Sequence, residues 1–229
     1  MKILELFSGT GSVGKVCKEK GWEVVSLDLT NADINIDILK WDYKKDYKEG
    51  DFDCIWSSPP CATFSNCRRS WIGRKIKAFG DEIVTAELLD NDMEENGLPL
   101  VRKTQEIIEY FKPKFWFIEN PQSAKTKNYL TDLNYYDVDY CKYSDWGYRK
   151  RTRIWTNNMN FVPKVCRKDC DNMFTPTKHK TEMSDAKTFS RHKNNLGNSN
   201  GNKMTGGSCG RLSTRYRIPP LLIKELLDV

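Results

Sequence analysis

The sequence predicts an α/β protein with a doubly wound, mostly parallel sheet. Apolar segments typical of strands alternate with segments of helical spacing through the first 120 residues, as in parallel strands joined by crossover helices. A glycine-rich turn follows the first apolar segment, and the second apolar segment ends in an acid. Sheets of this class bind nucleoside cofactors with such a turn and such an acid.

The first half of the chain supplies four strands and a helix. Strands are predicted at 2–7, 22–28, 34–38 and 52–56, because each segment is short, apolar and bounded by turn residues or acids. The helix follows the glycine-rich turn, where Val13, Val16 and Cys17 share one helical face, and it ends at Gly21.

The next part of the chain closes the sheet. The acidic stretch 86–97 is expected at the surface, and helical spacing predicts a helix from Pro99 to residue 111. A strand is predicted over 112–121, where it stops at an acid, an amide and a proline. The segments 135–143 and 151–156 predict an antiparallel closing hairpin.

The chain divides into three parts. Residues 1–156 form the predicted cofactor-binding catalytic domain. Residues 157–210, rich in Asn, Lys, Thr, Ser and Gly, form a small irregular basic insertion. Residues 211–229 return to the first domain, and 218–229 predict an amphipathic helix started by proline.

Length and composition narrow the class of protein. A chain of 229 residues is one domain with a small insertion. It contains no run of about 18 apolar residues, so no membrane span or membrane partner is expected. No secretory signal is expected in "MKILELF". Eight cysteines in such a chain indicate a reducing compartment, and we expect the cytoplasm of a bacterium or of a virus-infected host cell.

Charge is unevenly distributed. Residues 140–217 hold 17 Lys and Arg against 5 Asp and Glu, a net charge of +12, so the rest of this +6 chain carries −6. A solvated lysine-rich surface is the plainer explanation. Concentrated positive charge also indicates a polyanionic partner, and it predicts nucleic acid bound on one face.

The glycine-rich turn is the candidate cofactor site. Gly9, Gly11 and Gly14 allow close backbone approach, and Asp28 at the end of the second strand can accept hydrogen bonds from ribose hydroxyls. The spacing G-x-G-x-x-G alone is weak evidence, since the acid follows Gly14 by only 14 residues.

The stretch "SSPPCATFS" at 57–65 holds the candidate nucleophile. Cys61 follows two prolines at the carboxyl end of a strand, where open α/β sheets bind ligands, and Glu119 ends a neighbouring strand. A thiolate and a carboxylic acid that converge there could attack and protonate a ring. The plainer interpretations are a half-buried loop cysteine and a capping glutamate.

Cysteines and histidines late in the chain suggest a metal site only weakly. Cys166 and Cys170 have C-x3-C spacing, His179 follows, and His192 or Cys209 could be a fourth ligand. Because this spacing is loose and the fourth ligand is ambiguous, unliganded reduced thiols are favoured and no metal is expected.

Five segments together resemble the cytosine-carbon-5 methyltransferases. In the family's order, they are "ELFSGTGSVG", "SSPPCATFS", "FIENP", "WGYRKRTRIW" and "RYRIPPLLIKELL". They look like the cofactor motif, the nucleophile loop, the Glu-Asn-Val motif, the Gln-x-Arg-x-Arg motif and the closing motif. The resemblance spans about 1–156 and 211–226, and it implies a Rossmann-like methyltransferase sheet.

The resemblance implies a mechanism. Cys61 would attack carbon 6 of cytosine, Glu119 would protonate or hydrogen-bond ring N3 and the exocyclic amine, and carbon 5 would become nucleophilic. Arg151 and Arg153 would hold O2 and the phosphate backbone. A base within a duplex would have to be flipped out or already single-stranded.

The resemblance also implies the cofactor S-adenosyl-L-methionine and DNA as partner. Asp28 would bind its ribose and Asp37 its adenine amine. The implied cofactor-binding residues are Phe7, Ser8, Gly9, Gly11, Gly14, Asp28, Leu29, Asp37, Ile38 and Pro59. The substrate-binding set is Pro60, Ser65, Asn120 and Arg149, with Lys178 and Lys180 predicted to hold phosphates in the basic segment.

The chain departs from the family pattern in three places. Pro121 replaces the usual valine after Glu-Asn, and Arg149 stands where the family has glutamine. Only about fifty residues separate "RIW" from the closing motif, where members that read a defined sequence carry a larger region. A short or relaxed DNA target and a steep salt dependence are therefore predicted.

Other functions stay open at this point. The same chemistry on RNA is the nearest alternative, because a tRNA-methylating branch also lacks a large recognition region. A non-catalytic nucleic-acid-binding relic would be expected to lose Cys61 or Glu119, and both are present. An amino-directed methyltransferase would show Asp/Asn-Pro-Pro-aromatic where this chain has Ser58-Pro59-Pro60-Cys61. The Lys-, Asn- and Ile-rich composition hints at a phage or other virus.

Overall fold

The computed structural model describes residues 1–174, 191–193 and 216–228. The strands are β1 (Lys2–Leu6), β2 (Glu23–Asp28), β3 (Ile34–Asn35), β4 (Cys54–Ser57), β5 (Phe115–Pro121), β6 (Tyr135–Asp139), β7 (Arg151–Thr156), β8 (Met173–Phe174) and β9 (Arg191–His192). The α-helices are α1 (Ser12–Glu19), α2 (Tyr43–Asp46), α3 (Ala86–Asp92), α4 (Leu98–Phe111) and α5 (Pro220–Leu227).

Seven strands form one sheet in the order β3-β2-β1-β4-β5-β7-β6. The pairs from β3 to β5 are parallel, whereas β7 runs antiparallel to both β5 and β6. The predicted doubly wound, mostly parallel sheet with an antiparallel hairpin is thus confirmed. Strand order reverses between β1 and β4, so the crevice at their carboxyl ends is the point where such sheets bind ligands.

Helices cover both faces of the sheet. On one face, Val16 of α1 and Leu222 of α5 are buried in the same cluster as Ile3 of β1. On the other, Ile107 of α4 packs in a cluster with Leu4. Since neighbouring residues of β1 enter opposite clusters, this central strand is buried on both sides, as its continuous apolar sequence predicts.

The acidic stretch 86–97 is helical and packs against the candidate nucleophile loop. The Thr85 hydroxyl accepts the Leu88 N–H over 3.0 Å and caps α3. A π-helical turn at Met93–Gly97 leads directly into α4, one residue before the predicted Pro99. Met93 is buried in one cluster with Phe64, so the expectation of a simple surface stretch was incomplete.

Two strands end several residues earlier than predicted. The third strand covers only Ile34–Asn35, because Asp37 accepts the Leu39 N–H over 3.0 Å and starts a 3-10 turn instead. The strand β6 ends at Asp139, and Tyr140–Lys142 form another 3-10 turn. Among the helices of the described residues, none has the length and apolar character needed to cross a bilayer.

Candidate active site

A cavity of about 740 Å³ lies at the carboxyl ends of β1, β2, β4 and β5. It joins the turn after β1 to the loop after β4. The predicted site residues that line it are Phe7, Ser8, Gly9, Asp28, Leu29, Asp37, Ile38, Pro59, Pro60, Cys61, Glu119 and Asn120. The structure therefore brings the candidate nucleophile, the candidate acid and most of the cofactor set into one space.

The turn after β1 is built around the carboxylate of Asp28. The N–H of Gly9 donates to Oδ2 over 2.8 Å, and the N–H of Leu29 donates to Oδ1 over 2.7 Å. These bonds fix the carboxylate, and each oxygen keeps a lone pair that a ligand hydroxyl could use. Phe7 has a φ of 57° and Gly9 a φ of 49°, so the turn is in the left-handed region.

Gly11 and Gly14 lie outside the cavity lining. A Cβ at Gly14 would stand 2.7 Å from Oε2 of Glu5, so this glycine lets α1 approach the first strand. Gly11 has a φ of 63° and stands at the N-cap of α1. Their predicted cofactor contacts stay predictions, and the structure gives both glycines a backbone role.

Glu5 is a buried acid in the cavity wall that the sequence analysis missed. Its carboxylate accepts the N–H of Val13 over 3.2 Å and of Gly14 over 2.9 Å. Burial raises the pKa of Glu5 to about 7, although the two N–H bonds oppose this shift. Glu5 thus fastens the start of α1 to β1 and places a titratable group beside the predicted cofactor site.

The loop that carries Cys61 is fixed to the end of β5. Asn120 donates through Nδ2 to the carbonyl of Pro59 over 2.8 Å, and its Oδ1 accepts the Thr126 hydroxyl over 3.1 Å. A side chain at Gly97 would collide with the Thr63 hydroxyl and crowd the Phe64 ring, so the π-helical turn also packs closely on this loop. The half-buried thiol is therefore held on a rigid segment.

Glu119 is buried beside two hydrogen-bond donors. The Tyr140 hydroxyl donates to Oε1 over 2.9 Å, and the Lys150 ammonium donates to the same oxygen over 3.3 Å. Burial raises the pKa of the Cys61 thiol, the charge of Glu119 raises it further, and the charge of Lys150 lowers it. The charges of Glu119 and Lys150 thus act on the Cys61 thiol in opposite directions.

The three predicted arginines are absent from the cavity lining and are paired with acids instead. Arg149 and Arg151 donate to the buried Asp139 over 2.7–3.1 Å. Arg153 donates to Asp137 over 2.8 and 2.9 Å. Arg151 and Arg153 lie on the same side of β7, opposite Asp139 and Asp137 of β6. Lys150 lies just before β7 and donates to Glu119 instead.

The remaining predicted contacts lie elsewhere. The Ser65 hydroxyl accepts the Cys67 N–H over 3.3 Å and caps a 3-10 turn outside the main cavity. Lys178 and Lys180 lie outside the described residues. The lining residues that the sequence analysis missed include Glu95, Tyr216 and Lys150. Of these, Lys150 lies within the segment "WGYRKRTRIW" and Tyr216 within "RYRIPPLLIKELL", whereas Glu95 lies in no quoted motif.

Comparison with known proteins gives one relative of full length. A "Probable DNA (cytosine-5)-methyltransferase" of Frog virus 3 (isolate Goorha) is 46% identical over 232 residues, and the match covers 100% of both chains. No family model matches the chain.

The chain is also similar to two solved structures. The methyltransferase EhMeth of Entamoeba histolytica is 13% identical with a TM-score of 0.49, over 72% of this chain and 55% of that one. A DNMT2 mutant of Spodoptera frugiperda is 19% identical with a TM-score of 0.41, over 72% and 53% respectively. The chain thus spans about half the length of these solved chains.

Proposed function

The chain belongs to the DNA (cytosine-5)-methyltransferase family, as its full-length 46% identity to the viral relative shows, and we propose that it methylates carbon 5 of cytosine in DNA through a covalent bond from Cys61. One observation carries the proposal: Cys61 and Glu119 share a cavity with Asp28 and the turn at Gly9. A nucleophile and an acid therefore lie within reach of a nucleoside-binding turn.

The residues at this turn fit S-adenosylmethionine. Asp28 is held by two backbone N–H groups and faces the cavity, so its free lone pairs suit ribose hydroxyls. Asp37 also lines the cavity and can accept a hydrogen bond from an adenine amine. A volume of about 740 Å³ lies in the usual range for cofactor pockets. The cofactor would supply an electrophilic methyl group.

Cys61 would activate the base. Its thiolate bonds to carbon 6 of cytosine, and the electrons of the 5,6 double bond move to carbon 5 and toward N3. Carbon 5 then takes the methyl group. Loss of the carbon 5 proton to solvent restores the double bond and releases the thiolate. Because a base stacked in a duplex cannot reach a half-buried thiol, the target base must be extruded or single-stranded.

Glu119 would stabilise the charge that develops on the ring. Tyr140 and Lys150 both donate to Oε1, which leaves Oε2 to meet the substrate. A proton on Oε2 would pass to ring N3 as Cys61 adds to carbon 6, and N3 would return it to Oε2 when carbon 5 takes the methyl group. The nearby Lys150 ammonium would stabilise the Glu119 carboxylate while N3 holds the proton. The family resemblance implies such a role for no lysine. The roles predicted for Arg151 and Arg153 stay predictions.

The proposal is tested by locating the methyl group. The protein is incubated with methyl-labelled cofactor and, separately, with duplex DNA, single-stranded DNA and tRNA, and the digested nucleosides are identified by mass spectrometry. We expect 5-methyldeoxycytidine with the wild type and none with Cys61→Ser. Label found only as 5-methylcytidine from tRNA would support the RNA alternative, and label on an exocyclic amine would refute the proposed chemistry.

A further inference from the structure

Three cysteines and a histidine converge beside the closing hairpin. The sulfurs of Cys141, Cys166 and Cys170 and a ring nitrogen of His192 all lie within 4.8 Å of one another. Nε2 of His192 is 3.5 Å from Sγ of Cys166 and 3.4 Å from Sγ of Cys170. In a tetrahedral zinc site, ordinary Zn–S and Zn–N lengths give an S···N separation of about 3.5 Å. The spacing therefore already matches that of a bound ion.

The backbone between two of these cysteines is shaped around a sulfur. The N–H of Lys168 donates to Sγ of Cys166 over 3.3 Å, and Lys168 has a φ of 69°. The N–H of Cys166 itself donates to Oδ2 of Asp139 over 2.8 Å. An N–H directed at sulfur stabilises a thiolate, which is the form that binds metal.

The other two ligands are brought in by separate segments. His192 lies on β9, opposite Met173 of β8. Asn172 is buried, and its amide donates to the carbonyl of Cys141 over 2.9 Å and to that of Ser144 over 2.7 Å. The four ligands thus come from three stretches of chain that hydrogen bonds hold together.

We propose that Cys141, Cys166, Cys170 and His192 bind one structural zinc ion. Three thiolates and one imidazole are an ordinary structural zinc set, and four protein ligands leave no open position for a reacting water. The proposal departs from the sequence-based expectation of unliganded thiols. The C-x3-C spacing gave no sign of Cys141, which lies 25 residues before Cys166.

The ion would hold the closing hairpin of β6 and β7 and the β8–β9 pair together. Cys141 directly follows Tyr140, whose hydroxyl donates to Glu119. Cys166 holds Asp139, which pairs with Arg149 and Arg151. Zinc would therefore fix the end of β6 that supports Glu119, while lying outside the cavity. The inference does not depend on the proposed methyl transfer.

Metal analysis of the full chain tests the site. The reduced protein is reconstituted with zinc and passed through a desalting column. Its zinc content is then measured by inductively coupled plasma mass spectrometry. We expect one zinc per chain, and cobalt substitution should give strong tetrahedral d–d bands with thiolate charge transfer. A stoichiometry far below one, or a weak octahedral cobalt spectrum, would overturn the proposal.

The chain's two histidines give a matched pair of variants. His192→Ala should weaken zinc binding at least tenfold in competition with a chromogenic chelator, and it should weaken the cobalt charge-transfer band. His179→Ala and Cys67→Ser should keep wild-type affinity. If His179→Ala loses the metal and His192→Ala keeps it, the proposed ligand set is wrong. The cobalt spectrum of the wild type tests the site even if His192→Ala fails to fold.

Discussion

The hydroxyl of Tyr140 donates a hydrogen bond of 2.9 Å to Oε1 of Glu119. Both side chains are buried, and Lys150 donates to the same oxygen over 3.3 Å. One carboxylate oxygen is thus occupied by the protein, and the carboxyl group has a fixed orientation toward the cavity. The residues around Glu119, which would contact the base, can therefore be tested separately from Asp28, which would contact the cofactor.

Replacing Tyr140 with phenylalanine should lower turnover. A hydrogen bond to a charged group is worth roughly 1.5–3 kcal/mol, so kcat of Tyr140→Phe should fall about ten- to a hundredfold if the bond acts fully in the transition state. Cofactor affinity by calorimetry should change little. Tyr110→Phe is the control, because it removes a hydroxyl bonded to the Tyr47 carbonyl, away from the cavity. Equal kcat losses in both variants would contradict this role.

Lys150→Met and Arg153→Met test which basic residue supports catalysis: Lys150, which the structure places beside Glu119, or Arg153, which the sequence predicted. Lys150 lines the cavity, whereas Arg153 is paired with Asp137. We expect the larger loss of kcat in Lys150→Met. Because Lys150 lowers the pKa of Cys61, its removal should also shift the rising limb of the kcat/KM profile to higher pH. The opposite order of losses would favour the predicted catalytic role of Arg153 over the role proposed for Lys150.

Asp28→Asn should weaken cofactor binding. The asparagine has one acceptor oxygen for two N–H groups, those of Gly9 and Leu29, so it leaves one of them unpaired and loses lone pairs at the cavity. A loss of roughly 1–3 kcal/mol in binding free energy is expected by calorimetry. Glu119→Gln serves as the comparison, since it should lower turnover and leave the cofactor Kd near the wild-type value.

Glu5 should make stability fall with rising pH. Its pKa rises from 4.5 to about 7 on folding, so the folded state holds the proton more tightly over that interval. The free energy of unfolding should therefore decrease between pH 4.5 and about 7, by about 3 kcal/mol from this group. Denaturant titrations at several pH values should show that the free energy of unfolding changes less with pH in Glu5→Gln than in the wild type. The exposed Glu87→Gln variant should keep the wild-type slope.

The sequence alone was sufficient for the features that depend on local pattern. Apolar segments that end at Asp28 and Glu119, or that shortly precede Cys61, predicted strands whose carboxyl ends meet, and parallel pairing places these residues around one crevice. The helical stretch 86–97 was not predicted, because its many acids obscure the apolar positions Leu89 and Met93 that contact the core.

Features that depend on strand register could not be predicted in this way. Arg153 pairs with Asp137 and Arg151 with Asp139 because β7 aligns these positions opposite each other on β6. A shift of one residue would exchange the two faces and bring different side chains to Glu119. The grouping of Cys141 with His192 likewise depends on contacts distant in sequence.

Covalent trapping tests the role of Cys61 most directly. DNA with 5-fluorocytosine is incubated with the protein and S-adenosylmethionine. Carbon 5 then carries fluorine in place of the hydrogen that must leave as a proton, so the thiolate is not released after methyl transfer. We predict a denaturant-stable complex whose peptide map places the base on Cys61. Cys67→Ser should form it, and Cys61→Ser should not. An adduct on another cysteine, or continued methylation of ordinary cytosine by Cys61→Ser, would contradict the account.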